Sequence, residues 1–232
     1  MEQISKPAGL ASLVIALDGT AGSGKSSASR GVALRLRLRY LDTGAMYRAM
    51  TWHLLTQGVD LDDLDAVASS ATEAEIVSGT EALRPTITLG GVDVSVEIRS
   101  GETTAAVSQV SAVPRVRQLL TALQRSVIGP GGIVVEGRDI GTVVAPDADL
   151  KVYLVADPAA RAERRVAELT AAHERDVVSV EADLLRRDAF DSTRAAAPLS
   201  AASDAVVLDS TYLSLDEVVD EIVRLALERA QS

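Results

Sequence analysis

Gly19, Thr20, Ala21, Gly22, Ser23, Gly24, Lys25 and Ser26 read GTAGSGKS, which satisfies the spacing G-x-x-x-x-G-K-[ST] in full. Glycines at these places let successive backbone N–H groups turn inward around an anion. A helix opening at the lysine adds the positive end of its dipole. Lys25 is then expected to reach the β- and γ-phosphates of a nucleoside triphosphate, and the Ser26 hydroxyl to ligate Mg²⁺. The pattern has meaning only between a strand and a helix. Residues 13–17, LVIAL, are a short continuous apolar run, and residues 25–38 carry a helical pattern, so the context is met. Neither a D-x-x-G after a later strand nor a base-reading N-K-x-D is found. That weakens a switch-GTPase reading.

Charged residues elsewhere have spacings that could serve a phosphorylated ligand. Arg138 and Asp139 directly follow the run GIVVEG at 132–137, and ligands of open α/β sheets sit beyond the carboxyl ends of the strands. Arg187, Asp191 and Arg194 stand at i, i+4 and i+7 of a helical segment that Pro198 is expected to end, so they share one face. Taken alone, a polar stripe of this kind is more often a solvated face. Thr43 is expected to cap a helix over residues 44–55, with Tyr47 one turn later and Arg48 beside it. Arg161, Arg164 and Arg165 lie at i, i+3 and i+4 after Asp157-Pro158, a helix start. His53 and His173 are isolated, and no general base stands out.

The elements that must position these groups alternate. Short apolar runs at 13–17, 40–42, 133–135, 152–155 and 205–208 are each followed by helical pattern, which predicts an α/β, three-layer fold around a mostly parallel five-stranded sheet. Ser214 and Glu217 have capping-box spacing ahead of Leu215, Val218, Val219, Ile222, Val223 and Ala226, one face of a final helix. Residues 58–98 break the alternation. After acidic helical residues, two alternating segments flank Gly90-Gly91, which predicts a β-hairpin in a small antiparallel insertion.

Composition bounds the reading. The chain has 232 residues, 47% hydrophobic, enough for one core with insertions, and its net charge of −10 opposes binding to a nucleic-acid polymer. Without cysteine there is no disulfide framework or thiolate metal site. The only early apolar run, 10–17, is too short to span a membrane. A cytoplasmic monomer without membrane association is therefore expected. Of 23 basic residues only Lys6, Lys25 and Lys151 are lysine, leaving 20 arginines, whose planar forks suit bidentate phosphate contacts.

The runs LDTGAMYR at 41–48, SQVSAVPRVR at 108–117, VEGRDIGTVV at 135–144, RRDAFDSTRAAAPL at 186–199 and VVLDST at 206–211, taken with the P-loop, resemble bacterial cytidylate kinase from about residue 13 to the C-terminus. The resemblance implies ATP and Mg²⁺ as cofactors and CMP and dCMP as substrates. It also implies a P-loop core over 1–57 and 112–232 with a helical lid at about 157–176, and a monophosphate-binding insertion over 58–111. It assigns Ser108, Arg117 and Asp139 to the cytosine edge and Arg187 and Asp191 to the ribose. Arg48, Arg138 and Arg194 go to the acceptor phosphate or the phosphoryl group in transfer, with Thr43 and Tyr47 lining the same pocket. Lys25, Arg138 and Arg194 are the implied catalytic residues. The chain departs from the G-K-G-T of many members with Gly24, Lys25, Ser26 and Ser27, so either serine could supply the Mg²⁺ hydroxyl. Lysines are scarce, so the lid is expected to use Arg161, Arg164 and Arg165. A kinase for another small acceptor and a non-catalytic nucleotide-binding regulator remain open.

Overall fold

A computed structural model describes residues 8–168, 177–193, 197 and 199–231. The chain runs through β1 (Val14–Gly19), α1 (Lys25–Leu36), β2 (Arg39–Asp42), α2 (Thr43–Thr56), α3 (Leu64–Ala71), β3 (Ile76–Ser78), β4 (Ile87–Leu89) and β5 (Val92–Asp93). It continues through α4 (Gly101–Ala112), α5 (Pro114–Ile128), β6 (Ile133–Gly137), β7 (Leu150–Val155), α6 (Pro158–Glu168), α7 (Val177–Thr193), β8 (Val206–Asp209) and α8 (Leu215–Arg229).

The main sheet has the order β2-β6-β1-β7-β8, and every neighbouring pair is parallel. The central strands β1 and β6 are buried almost throughout because both faces are covered, whereas the edge strand β8 alternates between partly buried and exposed. On β1, Ala16 faces the layer formed by α2 to α5, while Ile15 and Leu17 face α1 and α8. β6 divides in the same way, Ile133 and Val135 to one side and Val134 to the other. This period of two is the pleat itself. The α8 face expected from sequence buries Val218, Val219, Ile222 and Ala226, and the Ser214–Glu217 capping box is present; Leu215 is left half exposed.

The insertion contains the hairpin, β4 to β5, with Gly90 and Gly91 both at positive φ, 55° and 80°, the geometry a tight hairpin turn requires. A third strand, β3, pairs antiparallel with β4. At three residues it was too short to show alternation. Two expectations shift by a residue or two. β1 runs on past Leu17 through Asp18 and Gly19, so the P-loop leaves the sheet with an aspartate at its root. The cap of α2 is Asp42, whose carboxylate accepts from Ala45 N at 2.9 Å. Thr43, expected as that cap, is the first helical residue, and its hydroxyl donates to Glu136 O at 2.7 Å.

Candidate active site

The carboxyl ends of β1, β2 and β6 open on one cleft, lined at one end by Ala21, Gly22, Gly24, Lys25, Ser26 and Ser27. Gly24 has φ of 86° and turns the loop into α1, a conformation a side chain would strain. Lys25 Nζ arches back to Thr20 O at 3.2 Å, and Ser23 Oγ donates to the same oxygen at 3.0 Å. Gly19, Thr20 and Ser23 brace the loop and do not line the cleft. Burial, together with the neighbouring charges of Arg138 and Arg187, holds the Lys25 pKa well below its usual value, while Glu136 pulls the other way. Such a crowd of cations is the complement of a polyphosphate.

Thr43, Tyr47, Arg48, Ser108, Arg117, Arg138, Asp139, Arg187 and Asp191 all line the same cleft. They come from α2, α4, α5, α7 and the loop after β6. Arg117 and Asp139 form a buried ion pair, and the Arg117 guanidinium lies over the Tyr47 ring, 5.6 Å from its centroid. Arg48 Nη1 donates to Thr104 Oγ1 at 2.9 Å, fixing α2 against α4. Arg138 spans the two ends. Its Nη1 donates to Gly19 O at 2.7 Å and its Nε lies 3.3 Å from Asp191 Oδ2.

The remaining arginines fall elsewhere. Arg161 Nη1 donates to Ala21 O at 2.9 Å and pairs with Asp188, and Arg164 Nη2 donates to Ser210 O at 2.6 Å. Both hold loop backbone and neither lines the cleft. Arg194 lies outside the described residues, as does the Arg165 side chain.

Several residues in and beside the cleft escaped sequence reasoning. Glu136 is buried on β6; Tyr40 donates to its Oε1 at 2.8 Å, while its Oε2 is buried with no hydrogen-bond partner. Burial and the nearby Asp42 raise its pKa. A lone carboxylate in the otherwise apolar GIVVEG was the available signal. Asp188 accepts from Ala21 N at 2.9 Å, so α7 grips the P-loop between Arg187 and Asp191. Arg99 and Ser111 line the cleft from the insertion side.

Residues 15–228 match the family described as Cytidylate kinase. A cytidylate kinase of Streptomyces griseus is 52% identical over 216 residues, covering 92% of each chain. One of Rhodococcus opacus is 51% identical over 221 residues, covering 94% of this chain and 96% of its own. The chain belongs to the cytidylate kinase family. Among solved structures, an uncharacterized protein from Eubacterium ventriosum superposes with a TM-score of 0.50 at 11% identity, covering 94% of this chain and 99% of that one, which speaks to the fold alone. In this family member the motif residues that sequence reading drew from four separate runs converge on one cleft with the P-loop. Among the predicted site residues, Gly19, Thr20, Ser23, Arg161 and Arg164 do not line it, and Arg194 and the Arg165 side chain lie outside the described residues.

Proposed function

We propose that this chain transfers the γ-phosphoryl group of ATP to CMP, and to dCMP, with Mg²⁺ in attendance. The observation that carries the reading is the meeting of Lys25 and the Arg117–Asp139 pair in one cleft. A phosphate-binding loop thus faces a buried carboxylate suited to a base amine. In the binding scheme, the triphosphate lies along residues 19–27 and the acceptor base along Ser108, Arg117 and Asp139. Arg48 and Arg138 hold the acceptor phosphate, and Arg187 and Asp191 the ribose.

The acceptor oxygen is already ionised near neutral pH, so the site needs no general base. Its residues act by in-line positioning and by neutralising charge. Lys25 and Arg138 supply fixed cations where negative charge spreads in transfer. The Ser26 hydroxyl and Glu136 would hold Mg²⁺, which would supply neutralisation of phosphate charge there. The buried Glu136 carboxylate beside Ser26 and Lys25 fits that role, because a buried carboxylate is costly unless cations or donors meet it. Ser27, which also lines the cleft, is the second candidate hydroxyl.

We infer a lid at about 157–176, of which 169–176 lie outside the described residues, and a monophosphate-binding unit at 58–111 that close over the core formed by 1–57 and 112–232, excluding water as a competing acceptor. Contacts of Arg161 and Asp188 with the P-loop support a mechanical link from lid to phosphates. We further infer a monomer in the cytoplasm, where its nucleotides are found, with no polymer or membrane partner. No helix among the described residues is long and apolar enough to cross a membrane.

A coupled ADP-release assay with ATP and Mg²⁺ against CMP, dCMP, UMP, AMP and GMP tests the reading. CMP and dCMP should give the highest kcat/KM. Preference for another acceptor rejects the base assignment, and no release with any acceptor leaves a nucleotide-binding regulator.

A further inference from the structure

Asp139 opens a single π-helical turn, Ile140–Val144, yet its side chain makes no capping bond to that turn. An aspartate at this position ordinarily folds back on the first free amides. Here those amides are taken by a residue from another strand. Ile140 N donates to Asp18 Oδ1 and Gly141 N to Asp18 Oδ2, each at 2.8 Å and each buried. Asp18 is itself buried at the end of β1, opposite Gly137 in register. Arg138 also donates to Gly19 O. The root of the P-loop therefore accepts three hydrogen bonds from the loop that carries Asp139.

We propose that Asp18 caps this turn in place of Asp139 and so leaves the Asp139 carboxylate turned to Arg117 and the acceptor base, which makes Asp18 a positioning residue for base choice. The proposal rests on the reading of Asp139 as the cytosine-amine acceptor. Both amides are buried, and Asp18→Asn would keep one oxygen as an acceptor but set an NH₂ donor against the other amide, leaving it without a partner. Asp139 is the adjacent carboxylate in sequence, and drawing it back onto its own turn would withdraw it from the base.

The test is a double-mutant cycle on the ratio of kcat/KM for CMP over UMP, using wild type, Asp18→Asn, Asp139→Ala and the double variant. The ratio does not depend on the fraction of folded enzyme, so a merely structural loss would not move it. Asp18→Asn should lower it about tenfold with KM for ATP within about twofold, and should add nothing in the Asp139→Ala background. An unchanged ratio in Asp18→Asn, or an equal drop in both backgrounds, overturns the proposal. Hydrogen exchange provides a second arm that needs no Asp18 variant. The Ile140 and Gly141 amides should be as protected in Asp139→Ala as in wild type, and a more than tenfold loss of protection would show Asp139 to be the cap. If Asp139→Ala leaves the ratio at its wild-type value, the cytosine reading falls, and the exchange arm decides the capping role by itself.

Discussion

In the proposed binding scheme the phosphate end of the cleft is drawn from one stretch of chain, residues 21–27, and the base end from three. The base end takes Ser108 from α4, Arg117 from α5 and Asp139 from the loop after β6. In the first, backbone conformation does the binding: Gly24 turns left-handed, α1 begins, and the amides and Lys25 follow. In the second, side chains do, and they depend on long-range packing. Arg117 and Asp139 are 22 residues apart, both buried, and held by Tyr47 and by Ser111 O. A binding surface built from local backbone suits any triphosphate, whereas one built from a buried ion pair can discriminate one base edge from another, because a mismatched partner there is left unpaired.

Breaking the local end should therefore cost rate without touching selectivity. Lys25→Ala should lower kcat about a thousandfold with both CMP and UMP, leaving their ratio and the fold intact. Steady-state kinetics with circular dichroism checks this, and near-normal turnover in folded protein would refute the role of Lys25. Arg187→Ala removes the charged contact proposed for both acceptors and should raise KM for each by about tenfold at an unaltered ratio. A change confined to one acceptor would move Arg187 to the base end.

Charge linkage probes the same division more gently. The Lys25 pKa in the free protein lies below its usual 10.5, and a bound triphosphate stabilises the ammonium and raises it again. In the window between those two values ATP binding must take up protons, whereas CMP binding, placed on Arg138 and Arg187 and not on Lys25 itself, should do so less. Calorimetry in buffers of different ionisation enthalpy reads the difference, and equal uptake for both ligands would contradict it. Smallest in functional effect is Ile222→Ala on α8, fully buried behind α1. It should cost about 2–5 kcal/mol of stability and leave the CMP to UMP ratio unchanged.

This contrast also explains what was legible in the sequence. The P-loop, the parallel strands, the hairpin and the α8 cap are local patterns, and each could be read from a few adjacent residues. The base end was reached only through resemblance, since nothing in the spacing of Ser108, Arg117 and Asp139 says that they meet. Glu136 and Asp188 were missed because their roles exist only in three dimensions: one sits beside Lys25 through strand pairing, the other reaches Ala21 N from α7. Thr43 was misassigned as a cap because threonine and aspartate both cap well. Asp42 precedes it and holds the position, which frees the Thr43 hydroxyl for Glu136 O.

The central claim is that Asp139 chooses the base. Uracil offers a carbonyl where cytosine offers an amine, setting two acceptors against each other at a cost of about 1–3 kcal/mol. The most direct measurement is kcat/KM for CMP and for UMP in wild type and Asp139→Ala. Wild type should favour CMP by about tenfold to a hundredfold, at about 1.4 kcal/mol per decade, and Asp139→Ala should narrow that gap by harming CMP use more than UMP use. Equal use of CMP and UMP by the wild type, or a ratio that survives the loss of Asp139, would contradict it.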